Sequence, residues 1–304
     1  MILVTGGAGF IGSNLVEELV RRGENVVVVD NYHTGSRENL RGVIEKIKLI
    51  EAPCSKLLEL GLKVSKIFHL GIPSSSPMYR RNPILVGEAI ADFMRVFELA
   101  KINGANVVYA STSSLYGMSP PPHHEDLPLV PFDFYTEARL AMERLAQVYH
   151  QLSGAPSVGL RFFSVYGPHE EAKGKYANMI TQFIWAISKG EPLEIYGDGT
   201  QTRDFIHVKD VVNACIRAAE LPPCCEVVNV GTGIATTFNR VVELISRELG
   251  KEPKLKYVEN PVKNYVYHTC ADISKAKRLL GFEPTISIEE GIRLQVKELV
   301  RAKA

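Results

Sequence analysis

A short β-branched run, Ile2-Leu-Val-Thr5, passes straight into Gly6-Gly-Ala-Gly-Phe-Ile-Gly12, and few folds can accommodate that junction. Gly6, Gly9 and Gly12 recur at every third residue between a strand pattern and a helical one. A tight turn, close approach of the backbone to an anion and close packing of helix on strand each favour a residue without a Cβ. The start of the helix then offers unpartnered N–H groups to that anion. Asp30 closes a second apolar run, Asn25-Val-Val-Val-Val-Asp30, eighteen residues beyond Gly12. A carboxylate there accepts hydrogen bonds from both hydroxyls of an adenosine ribose and repels a 2′-phosphate, which favours NAD over NADP. A glycine string alone also fits an unliganded turn; strand, helix and acid together favour the dinucleotide.

Further runs at 1–4, 25–30, 47–51, 66–70, 106–111 and 157–163 read as strands, with amphipathic stretches between them. Several are apolar on both faces, as strands of a parallel sheet covered by helices on each side must be. The expected class is α/β, a Rossmann-type doubly wound parallel sheet. After Arg161 the texture changes, with the loop Val165-Tyr-Gly-Pro-His169, a helix near 176–189, a short strand near 193–196 and helices near 237–249 and 287–302. The spacing predicts an NAD-binding domain over 1–165, with returning segments near 205–235. A smaller, discontinuous C-terminal α/β domain over 166–204 and 236–304 is expected to hold the substrate.

With 304 residues the chain is long enough for a large buried core. Lys and Arg total 35 against 34 for Asp and Glu, so no basic field points to nucleic acid, and small molecules are the expected partners. No apolar run reaches membrane-spanning length and Met1-Ile-Leu-Val4 carries no basic leader, so no membrane association and a cytoplasmic location are expected. Five cysteines without C-x-x-C spacing argue against a disulfide framework and a zinc site. The pair Cys224-Cys225, after Leu-Pro-Pro, reads as a loop. His123 and His124 follow a proline cluster and read as solvated, so no metal is expected; His69 and His207 read as packed core histidines.

The chain resembles the NAD-dependent sugar-nucleotide epimerase/dehydratase family of extended short-chain dehydrogenases, closest in type to UDP-glucose 4-epimerases. The likeness rests on Gly6–Gly12, Asp30–Leu40, Phe68-His-Leu70, Tyr109–Gly117, Arg161–Pro168, Tyr196–Phe205, Asn229–Gly233 and Ala271–Ala276, in order along the chain. The resemblance implies that Gly6, Gly9, Phe10, Ile11, Gly12, Asp30, Asn31, Gly35, Leu70, Tyr135, Arg139 and Phe162 bind NAD. It implies that Thr112 hydrogen-bonds the reacting sugar hydroxyl and that Tyr135, in Tyr135-Thr-Glu-Ala-Arg139, takes its proton. It places Thr112, Ser164, Asn178, Tyr196 and Arg203 at the substrate, with Arg203 as a clamp on its diphosphate; an ion pair with Asp204 or Asp210 is the alternative for that arginine. Homodimers formed through a two-helix face are a further implication.

Several positions depart from the family pattern. Arg139 stands in place of the lysine that holds the nicotinamide ribose and supplies a charge favouring phenolate; a planar guanidinium brings the charge but need not reach the same hydroxyls. Ala89, Ala138, Pro53 and Ser164 each replace a hydrogen-bonding residue. A second diphosphate arginine is absent from Val262-Lys263-Asn264-Tyr265, where Lys263 could bring charge. Ser113 and Ser114 occupy the positions where dehydratases carry Asp-Glu and decarboxylases keep the second acid, which disfavours both reactions. The remaining expectation is 4-epimerisation of a nucleotide sugar, UDP-glucose/UDP-galactose by default, through a transient 4-keto sugar. A nucleotide-sugar-binding protein with impaired catalysis, another oxidoreductase or decarboxylase of the family, and ordinary dehydrogenation with exchanging NAD are the alternatives.

Overall fold

The computed structural model describes residues 1–262 and 264–301. Its frame is a seven-stranded sheet of β1 (Ile2–Thr5), β2 (Val26–Asp30), β3 (Lys48–Glu51), β4 (Lys66–His69), β5 (Asn106–Thr112), β6 (Ser157–Phe162) and β11 (Cys225–Val230), in the order β11-β6-β5-β4-β1-β2-β3. Every pairing is parallel. The smaller strands form pairs: β7 (Ser164–Tyr166) with β10 (Phe205–His207), β8 (Pro192–Tyr196) with β13 (Lys254–Val258), and β9 (Thr202–Arg203) with β12 (Thr236–Thr237). The helices are α1 (Phe10–Arg21), α2 (Ser76–Arg81), α3 (Leu85–Asn103), α4 (Phe134–Ser153), α5 (Met179–Lys189), α6 (Val208–Ala219), α7 (Phe238–Leu249), α8 (Ser274–Leu280) and α9 (Ile288–Arg301).

Successive side chains of a strand face opposite ways, so the uninterrupted valines of β2 feed two cores at once. Val26 and Val28 join Leu15 and Val16 of α1 and Val211 and Cys215 of α6. Val27 and Val29 join Phe93 and Phe97 of α3 and Met142 of α4 on the other face. The chain leaves β1 toward β2 on one side and, after β3, returns to β4 on the other. Their carboxyl ends therefore border the crevice where a doubly wound sheet binds ligands.

Beyond the sheet, Tyr166, Ile184, Phe205, Phe238, Val241 and Ile292 belong to a separate apolar core that draws on α5, α7 and α9. A buried ion pair ties β6 to α4: Arg161 Nε and Nη2 reach the Glu143 carboxylate at 3.0 and 2.8 Å, and Ser111 Oγ donates to the same carboxylate at 2.5 Å. Arg161 Nη1 also donates to the Tyr116 hydroxyl at 2.9 Å, which donates to Asn229 Oδ1 at 2.6 Å.

Three sequence expectations change here. Cys225 is the first residue of β11 and not part of a loop, because the edge strand begins one residue past the prolines, with Cys224 alone in the loop; its Sγ lies 3.8 Å from Ser157 Oγ on β6. His123 is buried, with Nε2 2.9 Å from the Ser119 carbonyl oxygen and its ring stacked on Tyr116, while His124 is exposed as expected. The helix expected from 176 starts at Met179, because Asn178 turns its side chain back to cap it. Among the described residues no group of three or more metal-ligating side chains occurs, and no helix is long and apolar enough to cross a membrane.

Candidate active-site cleft

At the carboxyl ends of β1, β4, β5 and β6 lies a cleft of about 460 Å³ lined by Gly6, Gly9, Phe10, Ile11 and Gly12 from the glycine turn. Gly6 adopts φ +68°, and a Cβ there would come within 2.5 Å of Gly71 Cα in the β4 loop. A Cβ at Gly12 would overlap the Gly6 carbonyl oxygen. The turn thus brings backbone up to the helix start, and Gly9 caps α1 without a side chain, leaving the first N–H groups of the helix free for an anion.

A second, smaller cavity continues from the turn, lined by Asp30, Asn31, Gly35, Leu70, Ala89 and Asp92. Asp30 Oδ2 accepts from the Ala8 N–H at 2.9 Å and Oδ1 from the Tyr32 N–H at 2.7 Å. Burial pushes this carboxyl above its usual range, against the lowering effect of those N–H groups. An acceptor fixed at the end of β2 beside a side-chain-free turn fits the adenosine half of NAD.

Thr112 and Tyr135 line the main cleft. Thr112 ends β5 and its Oγ1 accepts from the Ser114 N–H at 3.1 Å, which leaves its hydroxyl proton available. Tyr135 stands in the first turn of α4 because Asp133 starts that helix: its carboxylate accepts from the Thr136 N–H at 2.9 Å in a capping box. Arg139 follows one turn on, on the same face. Its Cζ lies 5.0 Å from the centre of the Tyr135 ring, and its Nη2 donates to the Pro73 carbonyl at 2.8 Å. Tyr79 packs with its ring centre 5.6 Å from that of Tyr135.

Ser164, Asn178 and Arg203 line the same cleft, as does Phe162. Asn178 Nδ2 donates to Ser164 Oγ at 3.1 Å, so the serine is held by the residue that caps α5. Arg203 makes no ion pair among the described residues; Asp204 instead receives the Thr232, Gly233 and Ala271 N–H groups, and Asp210 the Thr285 and Ile286 N–H groups. The guanidinium lies 5.2 Å from the Tyr265 ring and 5.7 Å from the Phe238 ring, and burial depresses its pKa. A desolvated cation without a carboxylate is suited to an anionic ligand.

Tyr196 is placed elsewhere: it lies on β8, 37% exposed, outside the lining of either cavity. Lys263 lies outside the described residues. Ser113 and Ser114 both border the cleft beside Thr112. His69 and His207 are buried, as expected: His69 Nδ1 lies 2.8 Å from Thr5 Oγ1, and His207 Nδ1 accepts from the Lys209 N–H that opens α6. Arg80, Lys173, Tyr176 and Tyr265 also line the cleft and were not singled out in the sequence; they sit in short helices or loops whose patterns carry no periodic signal.

The family model for the NAD-dependent epimerase/dehydratase family matches residues 2–231, which include the glycine turn, Thr112, Tyr135 and Arg203. The chain belongs to that family. Across this epimerase/dehydratase member, similarity to individual proteins extends nearly end to end. It is 35% identical to the UDP-glucuronate 4-epimerase of Thermodesulfobacterium geofontis, covering 97% of this chain and 94% of that one. It is 33% identical to UDP-glucuronic acid decarboxylase 3 of Arabidopsis thaliana, covering 98% and 88%. In structure it matches UDP-glucose 4-epimerase of Thermotoga maritima with UDP-glucose, at a TM-score of 0.93 and 32% identity, covering 100% of this chain and 99% of that one.

Proposed function

We propose that this epimerase/dehydratase family member is a nucleotide-sugar 4-epimerase, with UDP-glucose and UDP-galactose as its pair of substrates. The reading is carried by what stands beside Thr112. A hydroxyl and a phenol share the cleft with the glycine turn, while the adjoining positions are Ser113 and Ser114. Elimination of water from a keto sugar needs an acid and a base there; inversion at one carbon needs neither. The glycine turn and Asp30 would hold NAD, whose nicotinamide would supply a reversible hydride acceptor. Tyr135 takes the proton of the sugar 4-hydroxyl and later returns it, and Thr112 donates a hydrogen bond to the same oxygen. Arg139 keeps a positive charge against the Tyr135 ring, and Arg203 with Asn178 holds the nucleotide diphosphate so that the 4-keto sugar can turn over in place. The division into a dinucleotide domain and a discontinuous substrate domain is supported by the separate core around Tyr166, Phe183 and Phe238. A cytoplasmic homodimer is part of the same reading.

A second substrate, UDP-glucuronate, is favoured by Ser113 and Ser114: two further hydroxyls beside Thr112 are donors suited to a C6 carboxylate, and a UDP-glucuronate 4-epimerase is among the relatives. Incubation of the purified protein with UDP-glucose, UDP-galactose and UDP-glucuronate, followed by anion-exchange chromatography, tests both substrates. Interconversion at C4 without loss of CO2 or water is expected. No change in any of the three would replace this reading with that of a nucleotide-sugar-binding protein.

A further inference from the structure

We propose that Lys173 supplies the side-chain positive charge for the diphosphate of the dinucleotide at the start of α1, and that the buried carboxylate of Glu170 orients it there. The inference deepens the cofactor-binding reading of the glycine turn. That turn offers N–H groups and a helix dipole but no full charge, and a diphosphate carries two negative charges near neutrality. Among the basic residues of the cleft, Arg139 is turned to the Pro73 carbonyl and Arg203 to Tyr265 and Phe238, while Arg80 stands exposed on α2. Lys173 lies instead on the opening residue of α1, its Nζ 5.0 Å from the centre of the Phe10 ring, and lines the cleft together with Gly9 and Ile11.

Glu170 explains the posture. It is 1% exposed, and its Oε1 accepts from Lys173 Nζ at 3.0 Å and from the Asn178 N–H at 2.9 Å. Its Oε2 accepts from the Thr181 hydroxyl, which Gln295 Nε2 reaches at 2.6 Å. The carboxylate is thereby tied to the first turn of α5 and to α9, and it holds the ammonium by one of its three N–H donors. The Lys173 side chain keeps only 15% of its exposure, and although the Glu170 carboxylate offsets part of its charge, its two other N–H donors remain for an anion in the cleft. Because Glu170 grips Lys173 and the amide of Asn178 together, one buried group sets both the cofactor end and the substrate end of the cleft.

The test is calorimetric titration of NAD, and separately of UDP, into the purified protein after bound nucleotide has been removed and quantified. Lys173→Met is expected to weaken NAD binding about tenfold, the scale of one charge-assisted hydrogen bond, and to flatten its salt dependence, with UDP binding unchanged. Lys173→Arg should restore most of the loss. The double variant Glu170→Gln with Lys173→Met leaves no unpaired carboxylate and should show the same loss with native thermal stability. Unchanged NAD affinity in the variants, or equal losses for NAD and UDP, would overturn the assignment of Lys173. Absence of NAD binding by the unaltered protein would overturn the cofactor reading itself.

Discussion

The Arg139 guanidinium donates to the Pro73 carbonyl at 2.8 Å while its Cζ lies 5.0 Å from the centre of the Tyr135 ring, so one side chain fixes both the β4–α2 loop and the charge beside the phenol. A lysine has the charge but no second arm to do both. Arg139→Lys is therefore expected to lower kcat about tenfold, the loss of one hydrogen bond to a charged group, and Arg139→Met by at least about a hundredfold. Steady-state assays check both; a lysine variant faster than the unaltered protein would show that the arginine impairs the site.

Tyr135→Phe removes one oxygen and keeps the ring packed on Tyr79. Loss of a general base typically costs about a hundredfold to ten-thousandfold in rate. The expected result is a fall in kcat of that size with the content of bound NAD and the urea midpoint unchanged. Turnover near the original rate would remove Tyr135 from the proton-transfer role.

Arg161 and Glu143 form a buried, bidentate pair, 4% exposed each, with further bonds to Ser111 and Tyr116. Removing one partner strands a charge out of water. Arg161→Met should lower stability by about 3–5 kcal/mol, measured by urea unfolding, and adding Glu143→Leu should recover part of it. Full additivity of the two single losses would argue that the pair is not coupled.

Burial holds the His69 imidazole down to about 3 and that of His207 down to about 4. An unfolded histidine titrates near 6.5. Between that pH and the depressed folded values, the unfolded chain binds more protons than the native one, so stability is complete above about pH 6.5 and falls as the pH drops toward 4. The urea midpoint should decline across that window, less steeply in a His207→Asn variant. An identical pH dependence in that variant would remove His207 as a source.

Helices α3 and α4 pack together and expose Met94 and Ile102 on the one and Val148 and Leu152 on the other, Ile102 at 75% and Leu152 at 83%. Apolar surface of this kind on two adjacent helices is a candidate face for pairing with a second copy. Light scattering should show a dimer for the unaltered protein and a monomer for the pair Ile102→Glu with Leu152→Glu. A dimer that survives both charges would place the interface elsewhere.

Much of the molecule is written locally. The β-branched runs, the glycine spacing and Asp30 define β1, α1 and β2 and the dinucleotide turn, because strand propensity, helix capping and freedom from a Cβ are properties of adjacent residues. The Asp133 cap similarly fixes where α4 starts and hence where Tyr135 stands. Tertiary structure alone decided which residues from distant segments meet. It set Arg139 on Pro73, joined Asn178 to Ser164, turned Arg203 to the Tyr265 and Phe238 rings and left Tyr196 outside the cleft. It also buried His123 and gathered Lys173, Glu170 and Phe10 at one end of α1. Arg139 and Pro73 lie 66 positions apart and Lys173 meets Phe10 from the far half of the chain, and long-range packing of this kind, unlike a turn or a cap, leaves no periodic trace in the sequence.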